Sequence, residues 1–211
     1  MKHHLSVVVP YRNRENHLKK FIPHMTQFLG DLPHTLLIVE QADEKLFNRA
    51  KLLNVGFDYG KKESDYFAFH DIDMLPLEAD YSYPDKPYHM ATNVGQFGGG
   101  VAYKNYYGGV NLFNEKDFKK INGYSNNFWG WGGEDDDILK RIKKHGYGIY
   151  RRKGVYKSLY HPINGPTHKN YQNNVNLLYS KYDFNKEGLN TLQYELISTE
   201  NKSYTHIKVK L

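Results

Sequence analysis

Cysteine is absent from all 211 residues, so no disulfide framework exists and nothing in the composition points to secretion. No apolar run approaches the ~20 residues of a membrane-spanning helix. The stretch ahead of the first valine run, Met1 to Leu5, is too short for a signal peptide. These absences predict a soluble, cytoplasmic protein with no integral membrane span. A concentrated basic stripe is also lacking. Lys and Arg exceed Asp and Glu by 29 to 23, a net charge of +6, but the lysines are dispersed outside Lys140 to Lys144 and Arg151-Arg152-Lys153. Those two runs read as solvated helix and strand edges, which argues against nucleic acid as a partner. A mildly basic surface instead suits small anions such as nucleotide phosphates. With no internal repeat and no long low-complexity linker, the chain reads as one domain with a full core.

Tryptophan is scarce as well, and both copies fall in the stretch that organises the chain: Asn126-Asn127-Phe128-Trp129-Gly130-Trp131-Gly132-Gly133-Glu134-Asp135-Asp136-Asp137. Ile138, Leu139 and Ile142 follow at helical spacing and Gly146 closes the run. The carboxylates therefore occupy the first turn of a helix entered through a glycine-rich aromatic loop. Capping explains one or two acids there, each typically worth ~0.3–1 kcal/mol against the helix dipole. It does not explain four mutually repelling carboxylates beside two indoles. Flat aromatics stack on sugar faces, and carboxylates next to them accept hydrogen bonds from hydroxyls and can take a proton from one. The stretch reads as an acceptor-sugar site with a catalytic base.

Leu5 to Pro10 is a β-branched run suited to a buried parallel strand, followed by the polar loop Tyr11-Arg12-Asn13-Arg14. Leu18, Phe21, Ile22, Met25 and Leu29 mark a helix face, with Pro23 as a boundary or kink. His34 to Glu40 predicts a second strand, Leu46 to Phe57 a second helix, and Tyr66 to His70 a third strand. This alternation is the signature of a parallel sheet with covering helices. Pro76 to Gly109 reads as irregular structure with short strands, and Gly108 to Phe113 as a strand or strand edge. A short helix is expected over Lys116 to Ile121. Beyond the acidic helix, Tyr147 to Arg151, Val155 to His161 and Tyr204 to Leu211 are candidate strands, and Val175 to Tyr182 a helix.

Ligands of such sheets bind beyond the carboxyl ends of the strands. Arg12 and Arg14 follow the first strand, and Asp71-Ile72-Asp73 follows the third. Carboxylates at i and i+2 can clamp a divalent cation against a diphosphate, although a solvated turn also accounts for a lone DxD. Arg12, Arg14 and Arg49 offer planar, bidentate recognition of phosphate. His161 ends a strand-like segment and is structural unless the fold brings it to Asp73.

The motifs Val9-Pro10-Tyr11-Arg12-Asn13-Arg14, Phe47 to Phe57, Asp71-Ile72-Asp73, Tyr107-Gly108-Gly109-Val110 and Asn122-Gly123 through Asp137 stand in the order seen in β-1,4-galactosyltransferases. The chain resembles that family up to Gly188-Leu189-Asn190. The resemblance implies a single-domain α/β fold of the GT-A kind, Rossmann-like, with a mostly parallel central sheet flanked by helices. Residues 1–75 would form the nucleotide-binding half. Residues 76–211 would form the donor-sugar and acceptor half, with mobile loops near 126–134 and 162–175. It further implies inverting transfer of a sugar, expected to be galactose, from UDP-galactose to a carbohydrate acceptor with Mn2+, in polysaccharide or glycoconjugate synthesis.

Carried over residue by residue, the resemblance places Pro10, Tyr11, Arg12 and Arg14 around the nucleotide, and Phe47 and Arg49 on the uridine. Asp71 and Ile72 would line ribose and uracil, and Asp73 would ligate the metal. Tyr106 would define the donor-sugar pocket with Gly109 nearby, and Trp131 would touch donor and acceptor. Glu134 and Asp135 would engage sugar hydroxyls, Asp135 as the base. Family members supply two further metal ligands as Met-x-x-His or His-x-His, where this chain reads Ser158-Leu159-Tyr160-His161. Only His161 matches, so water or a loop residue such as His168 is expected to fill the gap. Two rival readings are a carbohydrate-binding module derived from such an enzyme and a nucleotidyltransferase using the DxD for phosphoryl chemistry.

Overall fold

The first strand, β1 (Leu5–Tyr11), is buried along its whole length because helices cover both faces of the sheet it centres. Leu5, Val7, Val9 and Tyr11 point into one apolar cluster with Phe21, Ile22 and Met25 of α1 (Glu15–Leu29). Val8 points the other way, into a cluster with Leu52, Leu53 and Val55 of α2 (Arg49–Gly60). The computed structural model describes residues 3–162 and 168–211. Ile163 to Thr167, part of the second expected mobile loop, lie outside the described residues.

On either side of β1 run β2 (His34–Gln41) and β3 (Tyr66–His70), both parallel to it, in the register Leu5↔His34 and Leu5↔Tyr66. Next in the chain come β4 (Met74–Ala79), β5 (Tyr88–His89), β6 (Asn93–Val94) and β7 (Val110–Asn114). After β7 follow α3 (Glu115–Lys120), α4 (Glu134–Lys144), β8 (Gly154–Ser158), α5 (Tyr171–Tyr179), β9 (Glu195–Asn201) and β10 (Thr205–Lys210). The main sheet has seven strands in the order β5-β7-β3-β1-β2-β10-β9.

Its centre, β3-β1-β2-β10, is parallel, and both edges are antiparallel. The sheet is therefore mixed, where a mostly parallel one was expected. The difference has a local origin: β9 and β10 form a hairpin, and β7 returns to β3 after the long excursion from Asp71 to Gly109. A second sheet, β4-β8-β6, is built within that excursion and closed by β8. Asp71-Ile72-Asp73 thus links the last residue of β3 to the first of β4, in two different sheets.

Three details differ from the sequence reading. α1 continues through Pro23 without ending there. Tyr147 to Arg151 is not a strand and makes only an isolated bridge between Arg151 and His89. The last helix starts earlier than expected, at Tyr171.

Candidate active site

Arg49, at the start of α2, stands at the carboxyl end of the parallel strands and gathers the acids of two distant segments. Its Nε donates to Asp71 Oδ1 at 2.5 Å, and Nη1 donates to Asp135 Oδ1 at 3.1 Å, with Glu134 Oε1 3.9 Å away. The side chain is 12% exposed, and Nη2 is buried with no partner among the described residues. Burial opposes the guanidinium charge, but Asp71, Asp135 and Glu134 hold it firmly protonated. Burial raises the Asp135 carboxyl; Arg49 pulls it down, and Glu134, Asp71 and Asp136 push it up again, leaving it well above the ordinary carboxylate range. Asp71 is likewise raised, by burial first. The cluster holds more carboxylates than cations, and one of its acids is primed to carry a proton near neutral pH.

The other residues expected on the nucleotide side have partners of their own. Pro10 and Tyr11 end β1, and Tyr11 meets the His206 ring edge-on at 5.8 Å. Arg12 is tied down, donating to the Lys45 carbonyl at 2.7 Å and lying over the Phe47 ring at 5.2 Å. Arg14 occupies the N-cap position of α1. Ile72 is in the core, 8% exposed. Asn48 caps α2 by accepting from the Lys51 amide at 2.8 Å, and its side chain donates to the Asn126 carbonyl. The start of α2 is thereby fixed to the indole loop, which also donates from Gly130 to the Phe47 carbonyl at 2.7 Å.

Tyr106 feels the charges of Asp135 and Asp71, and the Gly109 carbonyl accepts from the Asp71 amide at 2.9 Å. Tyr106 is largely buried, which, with the nearby Asp135 charge, keeps its phenol protonated. Gly108 is where a side chain is excluded: a Cβ there would stand 2.7 Å from the Tyr106 hydroxyl and closer still to Asp135 Oδ2. Two residues that sequence reasoning missed hold this segment. Arg151 donates to the carbonyls of Tyr106 (3.1 Å) and Lys104 (2.9 Å) and to His89 Nδ1, while His89 Nε2 donates to the Gly108 carbonyl at 2.9 Å. Arg151 was expected on a solvated edge. Its three acceptors, all of them remote in sequence, draw it inward.

The acidic helix α4 begins at Gly133, whose φ of +95° and close approach to the Phe128 ring both favour glycine. Its four acids divide among three sets of partners. Glu134 and Asp135 face Arg49, and Asp136 accepts from the Tyr103 hydroxyl at 2.8 Å. Asp137 is buried, accepts from Arg141 Nε at 2.8 Å and takes the Tyr182 hydroxyl. Arg141, also expected to be solvated, has a fully buried side chain and donates from Nη2 to Glu187 Oε2 at 2.7 Å. Trp131 is 38% exposed, and its ring centre lies 5.5 Å from that of Tyr171. Asn170 and Asn174 of the α5 segment donate to the Trp129 carbonyl, and Asn174 also to that of Trp131. His168 sits against Gly130, its Nδ1 accepting from the Asn170 amide at 3.2 Å.

Asp73 and His161 do meet. His161 Nε2 and Asp73 Oδ2 are 3.0 Å apart, and the Leu159 amide donates to the Asp73 carbonyl at 2.8 Å. Burial raises Asp73, but the His161 hydrogen bond and charge bring it below the ordinary value, and Asp73 raises His161 in turn. Bonds of about 2.1 Å meeting at a right angle would span about 3.0 Å, so the pair matches two adjacent corners of an octahedral cation. Two buried polar atoms at this end of the fold, Ser158 Oγ and His17 Nε2, have no partner among the described residues. The residues present fit a divalent cation, although among the described residues no three His, Cys, Asp or Glu already converge on one point.

Two family profiles match the chain: an N-terminal region of glycosyl transferase group 7 over residues 1–84, and an N-terminal domain of galactosyltransferase over residues 88–162. Mouse β-1,4-galactosyltransferase 1 is 34% identical over 219 residues, covering 99% of this chain and 55% of that protein. Human β-1,4-galactosyltransferase 7 is 38% identical over 206 residues, covering 93% of this chain and 62% of that protein. The chain thus spans little more than half the length of these relatives. Among solved structures, the catalytic domain of Drosophila β-1,4-galactosyltransferase 7 in complex with xylobiose superposes with a TM-score of 0.85 at 30% identity, covering 99% of this chain and 94% of that one. A mutant of the Drosophila protein in complex with manganese, UDP-Gal and xylobiose gives 0.86 at the same identity. The fold is accordingly of the GT-A kind.

Proposed function

We propose that this chain, which belongs to the β-1,4-galactosyltransferase family, transfers galactose from UDP-galactose to a hydroxyl of an acceptor sugar with inversion at the anomeric carbon. The observation that carries the reading is the Arg49 cluster, which joins Asp71 of the DxD to Asp135 in the helix that follows the exposed Trp131 in the chain. The uridine side lies along Arg12, Phe47 and Arg49, whose free Nη2 donor suits a polar atom of the ligand. The donor sugar sits under Tyr106 and Gly108, and Trp131 with Tyr171 forms the acceptor platform.

Asp135 accepts the proton of the attacking hydroxyl on its carboxylate. The acceptor oxygen forms a bond to the anomeric carbon from one face as the bond to the diphosphate oxygen breaks on the other, its electron pair leaving with UDP. Glu134 orients sugar hydroxyls, and Arg49 favours the charged form of Asp135 against the burial and neighbouring acids that raise its carboxyl. Asp73 and His161 would hold a manganese ion, which when bound offsets the charge developing on the leaving diphosphate. No general acid is then needed, so one carboxylate serves as the only proton acceptor, unlike the paired carboxylates of glycoside hydrolysis.

The test is UDP release from UDP-galactose across a panel of glycoside acceptors that includes xylobiose, with products identified by mass spectrometry. Asp135→Asn should lower transfer by ~10²–10⁴-fold while retaining UDP binding; near-normal turnover would remove Asp135 from the base role. The incomplete convergence of metal donors favours one second reading, a carbohydrate-binding module without turnover. Acceptor-dependent UDP release excludes it. We further propose a cytoplasmic site of action, since the cysteine-free chain needs no oxidising compartment; cell fractionation decides this.

A further inference from the structure

We infer that His17 is a protein ligand of the cation site, supplying the donor that neither Ser158 nor Leu159 provides. The inference rests on the galactosyltransferase reading and deepens it. His17 lies in the first turn of α1, one turn before Phe21, and residues at i and i+4 share a helix face. Phe21 in turn packs against the ring of His70 at 5.1 Å, at the end of β3. That face of α1 therefore carries His17 to the strand end from which the DxD departs.

Once there, the imidazole interacts with the Tyr160 backbone but keeps one ring nitrogen without a partner among the described residues. His17 Nε2 is buried and unpartnered among the described residues, a state that typically costs ~1–3 kcal/mol. Its ring centre lies 6.3 Å from that of His161, and Asp73 and Arg14 are among the charges it faces. Two imidazoles opposed across one ion, each with a bond of about 2.1 Å, place their ring centres roughly 6.6 Å apart. The observed separation is therefore of the right size for two rings sharing a cation.

The three side chains do not converge without ligand, so ordering of the His17 ring accompanies binding. Of the other candidates, Leu159 has no donor atom, and the Ser158 hydroxyl is a neutral oxygen. His168 lies against Gly130, and its Nδ1 already accepts from the Asn170 amide. One carboxylate with two imidazoles suits manganese better than magnesium, which prefers oxygen throughout.

Pulsed EPR on the full chain with Mn2+ and UDP tests this directly, because nitrogen couplings count the imidazoles on the ion. The wild type, prepared with 15N-histidine, should show two coupled histidines, and His17→Gln and His161→Gln one each. Calorimetry with UDP present should find Mn2+ binding at least about tenfold weaker in His17→Gln, since even outer-shell partners of a ligand are worth that much. A single coupled histidine in the wild type, or an unchanged nitrogen pattern and affinity in His17→Gln, would overturn the assignment while leaving the transferase reading intact. Absence of any Mn2+ binding in the wild type with UDP would overturn both. The wild-type count stands even if a variant fails to fold.

Discussion

Replacing Arg49 by methionine removes the only cation paired with Asp71, Glu134 and Asp135 among the described residues, while keeping the length of the side chain. With Nη1 and Asp135 Oδ1 in contact at 3.1 Å, the charge centres are roughly 4 Å apart, a separation worth about 4 kcal/mol at an effective dielectric of 20. That corresponds to about three pKa units if nothing else responds. Glu134 and Asp71 do respond, because protonating one acid relieves the others, so the visible shift is smaller, about one unit or more. The sign is fixed: losing the cation disfavours the charged base, so Asp135 is deprotonated only at higher pH. The acid limb of kcat/KM, which reports groups of the free enzyme, should therefore move upward. Arg49→Lys, which retains the charge, should move it less. The assay is UDP release from UDP-galactose with a saturating acceptor from about pH 5 to about pH 10, a range that brackets an Asp135 carboxyl raised to about 8 and its further upward move. An acid limb that stays put in the methionine variant, or moves downward, would refute the electrostatic role given to Arg49.

Arg141→Ala leaves Asp137 buried without its partner and should cost about 3–5 kcal/mol. At about 2–4 °C per kcal/mol for a chain of this size, the melting temperature should fall by roughly 6–20 °C; a fall under about 2 °C would mean the ion pair is dispensable. Tyr106→Leu should raise the use of UDP-N-acetylgalactosamine relative to UDP-galactose, because a bulky phenol limits room for the acetamido group; an unchanged ratio would place Tyr106 away from the donor sugar. Gly108→Ala should lower turnover by about a hundredfold, since a displacement near 1 Å at the reacting centre can cost that much. A Gly108→Ala enzyme of normal activity would show that Tyr106 and Asp135 need not approach that backbone.

The parallel heart of the fold was legible because β1 is a β-branched run buried on both faces, which leaves a continuous apolar signal. The DxD and the acidic helix were legible for a related reason: each follows or precedes a strongly patterned element. β9 was not, since nearly all of it is exposed and it carries no alternation. Nor was the fate of the charges. Arg141 sits in a run of basic residues, and its burial depends on Glu187, 46 positions away. Arg49 and Asp135 are 86 apart, and Arg151 closes on carbonyls 45 and 47 positions before it. Local pattern records which residues are charged but not which distant partner desolvates them. His17 belongs to the same class, because a histidine among polar neighbours at a helix start carries no mark of what it will face.

The link from β3 to β4 is one of two equally short covalent paths between the two sheets, the other running from β5 to β6. Asp71 is anchored through Arg49 to the helix packed on the large sheet, whereas Asp73 is held by the Leu159 amide and His161 just beyond the end of β8 in the small one. On the proposed reading the site is a measuring gap: the distance between what would grip the nucleoside and what would grip the diphosphate is set by how the two sheets sit against each other. A substitution deep in β4 or β8, touching no ligand, alters that gauge and changes which donors fit.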